Sequence, residues 1–242
     1  MIRSICLLLL IVAVPAQAKH PSSFSSAKKA LYNKIYTAAD MKQSFYCGCD
    51  YDYVERKDKK GKFRNEPEFT SCGFEPRKSQ SRASRIEAEH IMPAHHFGQH
   101  FSCWRDDNNG DGKPDGRKGC SKDPTFKTME SDLHNLVPAI GEVNGDRSNF
   151  QFGMIEGEKR VYGSCDAEVD FKARVFEPKP EVRGDIARVY FYMAGRYKVR
   201  LSKQQRQLLE AWAKSDPVSK EETQRNAVIA AYQGNGNPFI EN

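Results

Sequence analysis

The sequence lacks an apolar run long enough to cross a membrane. Its N-terminal apolar stretch, residues 5–16, is shorter than the roughly 20 residues that a transmembrane helix needs. The stretch follows Arg3 and ends at Ala16-Gln17-Ala18, a small-x-small pattern that is typical of signal-peptide cleavage. We therefore expect residues 1–18 to be a signal peptide and the mature chain, 19–242, to be periplasmic or secreted.

Internal repeats and low-complexity linkers are also absent from the sequence. A chain of 242 residues is long enough for one sizeable core and short for two domains. We expect residues 19–242 to form a single domain.

Close cysteine pairs are scarce. Of the 7 cysteines, Cys6 belongs to the expected signal peptide, and among the other six only Cys47 and Cys49 are close, whereas a zinc finger needs two close pairs. An even set in an exported protein favours three disulfides, although six cysteines allow fifteen pairings. Locality favours the pairs Cys49–Cys72, Cys103–Cys120 and Cys47–Cys165.

The His-Glu-x-x-His motif of zinc proteases is missing, although four histidines cluster between residues 90 and 100. Pro93 interrupts the helix that such a motif would need to place both ligands on one face. The cluster therefore does not favour zinc hydrolysis.

The sequence has fewer acidic than basic residues. The formal net charge is +6, and the loss of Arg3 with the signal peptide leaves +5 on the mature chain. A positive protein favours polyanions such as nucleic acids. The charge alone does not decide this, because a solvated surface of mixed charge accounts for most lysines in exported proteins equally well.

Two segments of the sequence carry residues suited to phosphodiester hydrolysis. Glu89 and His90 are adjacent before Pro93, and Asn144 follows in a segment rich in glycine and charge. A neutral imidazole can take a proton from water near pH 7, and carboxylate and amide oxygens are ligands for a Mg²⁺-type ion. Since neighbouring residues of a strand point to opposite faces, Glu89 and His90 should not share the ion. An in-line displacement suits that separation, with His90 preparing water on one side and the metal-bound Glu89 on the leaving-oxygen side.

These segments, together with others in the same order, resemble the endonuclease I family of periplasmic and secreted bacterial nucleases. The other matching motifs are Ser44-Phe45-Tyr46-Cys47-Gly48-Cys49, Arg82-Ala83-Ser84-Arg85, Gly116-Arg117-Lys118, Met129-Glu130-Ser131-Asp132, residues 185–193 and Gly234-Asn235-Gly236-Asn237-Pro238. The resemblance implies a ββα-metal (His-Me finger) site with one catalytic ion, Mg²⁺ or else Mn²⁺ or Ca²⁺. It implies His90 as the general base, Glu89 and Asn144 as the metal ligands, and Arg117 as the group that binds the scissile phosphate.

A long connection, residues 97–129, separates the two halves of the expected site, and long loops are often functional. It carries Arg117 and a segment with oxygen-bearing side chains at the spacing of a calcium loop: Asp107, Asn109, Asp111 and Asp115. Lys118 stands where an EF-hand has its bidentate glutamate. A structural Ca²⁺ site and a plain flexible turn both stay open.

The periodicities predict a mixed α+β fold. We expect strands at residues 45–54, carrying Cys47 and Cys49, at 85–91 and at 133–140, with a helix at 142–150 presenting Asn144. Helices are predicted at 25–37 and 184–197, from Ser202 to Lys214, and from Ser219 to just before Gly234. His134 is interpreted as a structural hydrogen-bonding residue.

The combined prediction is a disulfide-stapled, monomeric α+β endonuclease that cleaves DNA, and also RNA, through phosphate contacts, without a membrane association once the signal peptide is removed. The alternative is a catalytically silent nucleic-acid-binding or uptake protein on the same fold.

Overall fold

A computed structural model describes residues 19–55, 63–157 and 159–240 of the chain. The expected signal peptide, residues 1–18, lies outside this part of the protein. None of the helices in the described ranges is long and apolar enough to cross a membrane.

The described residues form small sheets surrounded by helices, which confirms the mixed α+β class. The α-helices are α1 (Phe24–Ala30), α2 (Gln80–Ala83), α3 (Ala94–Gly98), α4 (Ser102–Arg105), α5 (Pro124–Glu130), α6 (Gly141–Arg147), α7 (Arg183–Tyr197), α8 (Lys203–Ser215) and α9 (Lys220–Gln233). The strands are β1 (Tyr51–Glu55), β2 (Phe63–Pro67), β3 (Ile86–His90), β4 (Leu136–Ile140), β5 (Gln151–Phe152), β6 (Ala167–Asp170) and β7 (Val175–Pro178). Short 3₁₀ turns and one π-helical turn, Leu31–Ile35, complete the regular structure.

Three separate sheets hold these strands. β1 and β2 form an antiparallel pair, β3 and β4 form a second, and the third has the order β5-β7-β6. In the second pair, Ile86 lies opposite Ile140 and His90 opposite Leu136. Strand β4 is buried along its whole length. The last two residues of its partner β3 are Glu89 and His90.

The predicted strand at residues 45–54 is wrong in its first half, because β1 begins only at Tyr51. Cys47 and Cys49 lie instead in a turn, where Gly48 has a φ of +70° and its N–H donates to the carbonyl of Ser44. The Ser44 hydroxyl also accepts from the Cys49 N–H. A left-handed glycine and a capping serine favour a turn over the extended conformation that the aromatic residues suggested.

The predicted helix starts are confirmed by their caps. Ser202 and Ser219 accept hydrogen bonds from the backbone N–H groups of Gln205 and Glu222 at the starts of α8 and α9. Helix α9 ends at Gly234, whose φ is +95°. The helix expected at residues 25–37 is split, because α1 passes at Leu31 into the π-helical turn.

Three disulfides crosslink the described chain with the pairing that locality favoured. They join Cys47 to Cys165, Cys49 to Cys72 and Cys103 to Cys120. The last of these closes part of the long connection between α3 and α5, and it therefore limits the movement of the segment that carries Arg117.

Candidate active site

The antiparallel pair β3–β4 is followed directly by helix α6, and residues of this unit line a cavity. Helix α6 begins at Gly141, where an added Cβ would lie 2.5 Å from the carbonyl oxygen of Arg82. Only glycine allows the helix to start so close to the chain before β3. Asn144 and Arg147, three positions apart in α6, therefore share a helix face that is directed at β3.

A cavity of about 630 Å³ lies at the end of this unit, and all four residues predicted for catalysis and metal binding line it. Glu89 and His90 come from β3, Asn144 comes from α6, and Arg117 comes from the long connection. Residues that sequence reasoning did not single out as functional also line it: Phe24, Lys28, Glu87, Trp104, Arg147 and Asn149.

His90 is held by a backbone carbonyl. Its Nε2 lies 2.8 Å from the carbonyl oxygen of Glu130. Because a carbonyl only accepts, a neutral imidazole must carry its proton on Nε2, which leaves the lone pair on Nδ1. Burial, with a smaller contribution from the positive charge of Arg117, lowers the pKa of His90 to about 3. The imidazole is therefore neutral, and able to act as a base, at physiological pH.

An aromatic ring packs on this imidazole. The ring of Phe24, the first residue of α1, stacks on His90 with centroids 4.9 Å apart and an interplanar angle of 25°. The same ring has the guanidinium carbon of Arg117 4.5 Å from its centroid. Phe24 thus contacts both groups and restricts their orientation.

Glu89 is buried and held through one of its two oxygens. Its Oε1 accepts from the Tyr46 hydroxyl at 3.0 Å and from Arg147 Nη1 at 3.0 Å. No described side chain donates to Oε2, and Glu89 lines the cavity, so this oxygen is the one available to a ligand there. Burial raises the pKa of Glu89 to about 7, whereas the charge of Arg147 and the Tyr46 hydrogen bond lower it. A cation at Oε2 would shift this balance towards the carboxylate.

Asn144 is also oriented by one of its two polar atoms. Its Nδ2 donates to Glu87 Oε2 at 2.8 Å, and Glu87 is itself bound by Arg82 and Arg85. Burial raises the pKa of Glu87, but the two arginines outweigh burial and the net shift is downward, so Glu87 stays ionised. The carboxylate fixes the amide of Asn144 with its Oδ1 oxygen free of described donors.

These two oxygens suit a hard divalent cation. Mg²⁺ is commonly bound through one or two protein oxygens and keeps several waters, so it does not need a cage of protein ligands. The described residues contain no group of three or more histidine, cysteine or acidic side chains that could hold a metal ion.

Arg117 reaches the cavity from the long connection and not from the β3–α6 unit. It forms an ion pair with the carboxylate of Glu130, the residue whose carbonyl accepts from His90, and its side chain is 43% exposed. Arg117 is three residues from Cys120, which is bonded to Cys103. A guanidinium in this position can bind a phosphate bidentately if it exchanges the Glu130 carboxylate for the ligand.

Sequence reasoning did not assign roles to several residues that shape the site. Arg147 had a local signal, because it lies one helical turn from Asn144 and so shares its face. Glu87 had one as well, because residues two apart on a strand share a face with Glu89. Phe24, Tyr46 and Glu130 had none, since each reaches the site from a distant part of the chain.

The segment containing Asp107, Asn109, Asp111 and Asp115 is exposed and does not line the cavity. Its carboxylates bind the segment itself: Asp107 accepts from the backbone N–H groups of Gly110 and Gly112, and Asp115 accepts from Asn108 and Asn109. The calcium site at this segment stays a prediction. His134, in contrast, is confirmed as a structural residue, because it is buried and its Nε2 lies 2.8 Å from the carbonyl oxygen of Asn235.

Most of the chain matches one family. The model of the endonuclease I family matches residues 23–242. This match covers most of the chain, and the chain therefore belongs to the endonuclease I family and is a nuclease.

Its relatives carry matching names. An extracellular deoxyribonuclease of Aeromonas hydrophila is 47% identical over 239 residues, which cover 98% of this chain and 96% of the relative. A periplasmic deoxyribonuclease of the same organism is 45% identical, with 97% of this chain and 92% of the relative covered. Endonuclease-1 of Buchnera aphidicola is 45% identical over 81% of this chain and 73% of the relative.

Proposed function

We propose that this chain hydrolyses phosphodiester bonds of DNA, and also of RNA, by direct attack of a water molecule that His90 activates. The observation that carries the proposal is the meeting of His90, Glu89, Asn144 and Arg117 around one cavity. The named relatives, which are deoxyribonucleases and an endonuclease, support DNA as a substrate. The family and the nuclease names of its relatives give no support to the catalytically silent alternative.

The proton transfer follows from the contacts of His90. Nδ1 takes a proton from the attacking water, and the resulting imidazolium keeps its Nε2–H bond to the Glu130 carbonyl. The ring of Phe24 holds the plane of the imidazole while this happens. No covalent intermediate with the protein is needed.

Arg117 holds the scissile phosphate in the proposed mechanism. The guanidinium leaves the Glu130 carboxylate and binds two phosphate oxygens, so that negative charge on the phosphorus oxygens is stabilised as it develops. Arg147 keeps its bonds to Glu89 and to the backbone carbonyls of His90 and Ile91, and thereby holds the end of β3 in place.

Glu89 Oε2 and Asn144 Oδ1 would hold one metal ion, Mg²⁺ or else Mn²⁺ or Ca²⁺. When bound, such an ion supplies neutralisation of the charge on the leaving oxygen. In this role β3, β4 and α6 are the ββα-metal (His-Me finger) motif, with Glu89 and His90 on opposite strand faces.

The proposed enzyme is an exported monomer that contacts its substrate mainly through phosphates. Phosphate contacts carry no direct sequence information, so cleavage is non-specific, and they are shared by DNA and RNA. The net charge of +6, or +5 without the expected signal peptide, supports association with a polyanion.

The test is cleavage of plasmid DNA by His90→Ala. We expect turnover to fall about a hundred- to ten-thousandfold while DNA affinity changes little, because a general base acts in the transition state. His100→Ala is the matched control, since His100 is exposed and lies outside the cavity. If His90→Ala keeps more than about a tenth of wild-type turnover, the loss is too small for a general base. That result would contradict the role proposed for His90.

The metal ligands are tested separately. Glu89→Ala and Asn144→Ala should require more Mg²⁺ for half-maximal cleavage than the wild type does. A variant whose Mg²⁺ titration matches that of the wild type is not missing a ligand.

A further inference from the structure

A second cavity, of about 490 Å³, adjoins the catalytic one. The two share His95 and Asn149 in their walls. The second cavity is otherwise lined by His96, Gln99, Phe150, Gln151, Ala173, Arg174 and Val175. A chain-like substrate that passes through the catalytic cavity can therefore continue along this wall without leaving the protein surface.

Arg174 is the cationic group of this second cavity, and its backbone is held in an uncommon conformation. It has a φ of +59°, which residues other than glycine rarely adopt. The turn that precedes it is closed by Asp170, whose Oδ1 accepts from the backbone N–H groups of Lys172 and Ala173, both at 2.8 Å. Left-handed residues of this kind concentrate at binding sites, where the surrounding structure determines them.

The guanidinium of Arg174 is oriented without being neutralised. Its Nη2 donates to Asn149 Oδ1 at 2.6 Å, and its central carbon lies 4.8 Å from the centroid of the Phe150 ring. An amide oxygen and an aromatic face hold the group flat and leave most of its N–H donors available. Both supports come from the segment that directly follows α6.

The charges around the catalytic cavity distinguish Arg174 from its neighbours. The ion pairs Arg82–Glu87, Arg117–Glu130 and Arg147–Glu89 neutralise the arginines of that cavity. Within the part of the chain that the structure describes, Arg174 forms no ion pair, and its side-chain hydrogen bond is to the neutral amide of Asn149. An exposed, oriented arginine without a carboxylate partner is suited to an anion from outside the protein.

His95, on the wall that the two cavities share, also favours the binding of an anion by Arg174. It lies between the two cavities, and burial together with the charge of Arg174 lowers its pKa. A neutral imidazole beside the guanidinium can donate or accept a hydrogen bond, and it adds no negative charge that would compete for Arg174.

We propose that the second cavity is a subsite for the nucleic-acid strand, in which Arg174 binds a phosphate that flanks the scissile one. The proposal rests on the proposed nuclease function and adds to it the path of the substrate: from Arg117 in the catalytic cavity, past His95 and Asn149, to Arg174. The ligand class is a phosphodiester of a strand longer than one linkage.

The kinetic test compares Arg174→Gln with the wild type on substrates of different length. For a duplex of about 20 base pairs, we expect KM to rise roughly three- to tenfold in Arg174→Gln with little change in kcat. The loss of one partly exposed charged contact implies an effect of this size. The penalty should shrink for a dinucleotide, which has a single phosphodiester and cannot reach both sites. Arg206→Gln is the matched control, because Arg206 is exposed on α8 and lines neither cavity.

Salt dependence gives a readout that does not require cleavage. In the presence of chelator, the slope of log K against log salt for duplex binding should decrease in magnitude by about 0.9 in Arg174→Gln, as for one lost phosphate contact. Arg174→Lys keeps the charge and should restore the slope, and melting temperatures of all variants check their folding.

The outcomes separate the subsite from the function. An unchanged KM and an unchanged salt slope in Arg174→Gln, with normal DNA cleavage, overturn the subsite and leave the nuclease mechanism standing. If the wild type does not cleave, the nuclease mechanism fails, and the salt slope alone decides the subsite. Competition by inorganic phosphate that Arg174→Gln abolishes, without a change of the duplex slope, would assign the cavity to a free anion and overturn the strand path.

Discussion

The two walls of the catalytic cavity are held in different ways. On the β3–α6 wall, Glu89 and its partner Arg147 have side chains that are 5% and 0% exposed. On the wall formed by the long connection, the side chain of Arg117 is 43% exposed and is held by Glu130 and by the ring of Phe24, with a disulfide three residues away. The proposed metal ligands are thus fixed before the substrate arrives, whereas the arginine proposed to bind the phosphate is restrained and still free to exchange partners.

The difference has a physical reason. A buried ion pair loses little to solvent screening, and removal of one partner leaves a buried charge uncompensated, so such a pair tolerates almost no rearrangement. A partly exposed pair costs little to break, which suits a group that must replace a carboxylate by a phosphate. The rigid ion pair and the ion pair that can exchange its partner therefore lie on different walls of one cavity.

The largest expected effect comes from breaking the buried wall. Arg147→Met should lower the free energy of unfolding by about 3 to 5 kcal/mol, since Glu89 would be left buried without its cation. Urea denaturation measures this loss, and plasmid cleavage should fall with it. Lys42→Met breaks the surface pair Lys42–Asp52, whose Nζ–Oδ1 distance is 3.1 Å, and should cost about 1 kcal/mol or less. Equal losses in the two variants would contradict the contrast between buried and exposed pairs.

The next effect concerns the exchanging wall. Cys103→Ser/Cys120→Ser should lower stability by about 2 to 5 kcal/mol and should lower turnover more than DNA affinity, because Arg117 loses its nearby anchor. For the same reason we expect the reduced enzyme to be inactive or nearly so, and the oxidised, exported enzyme to be active. Cleavage assays with and without reductant, beside binding titrations, measure both quantities.

A second disulfide, Cys49–Cys72, provides the control for this prediction. Cys49→Ser/Cys72→Ser removes a bridge whose cysteines do not line the catalytic cavity. It should lower stability without the preferential loss of turnover. Full activity of the fully reduced enzyme would contradict the link between the redox state and Arg117.

A smaller effect is expected at the ring that joins the two walls. Phe24→Leu should lower kcat about two- to tenfold, because the stacking of an aromatic pair contributes about 0.5 to 1.5 kcal/mol beyond its buried area. Phe24→Tyr keeps the ring and should retain turnover. Phe239→Leu removes an exposed ring that packs on Phe191, at 5.6 Å between centroids, and serves as the control. Wild-type kcat in Phe24→Leu would show that the imidazole does not need the ring.

The smallest expected effect tests the predicted calcium site on the exposed part of the long connection. If residues 107–115 bind Ca²⁺, a tenfold excess over Kd should raise the melting temperature by about 2 to 5 °C, through preferential binding to the folded state. Asp111→Ala should remove this shift, and Mg²⁺ at the same concentration is the ion control. Identical melting curves with Ca²⁺ and with chelator favour the plain turn.

The sequence by itself determined those features that depend on the local period of the chain. The alternation of a strand placed Glu89 and His90 on opposite faces, and the structure shows Glu89 bound to Arg147 of α6 and His90 stacked on Phe24 of α1. Serine caps and a terminal glycine marked the limits of α8 and α9. Locality also gave the disulfide pairing, since the two short-range pairs left Cys47 and Cys165 for each other.

Only the tertiary structure decided the long-range contacts that orient the side chains of Glu89 and His90. The Tyr46 hydroxyl reaches Glu89 across 43 residues, and the Glu130 carbonyl reaches His90 across 40. Such contacts have no periodic signature, because they depend on how separate elements pack and not on the spacing within one element. The same limitation explains the incorrect strand at residues 45–54, where a turn stabilised by disulfides to distant segments overrides a local preference for extended structure. It also explains why Arg174 could be placed beside Asn149 only in the folded chain.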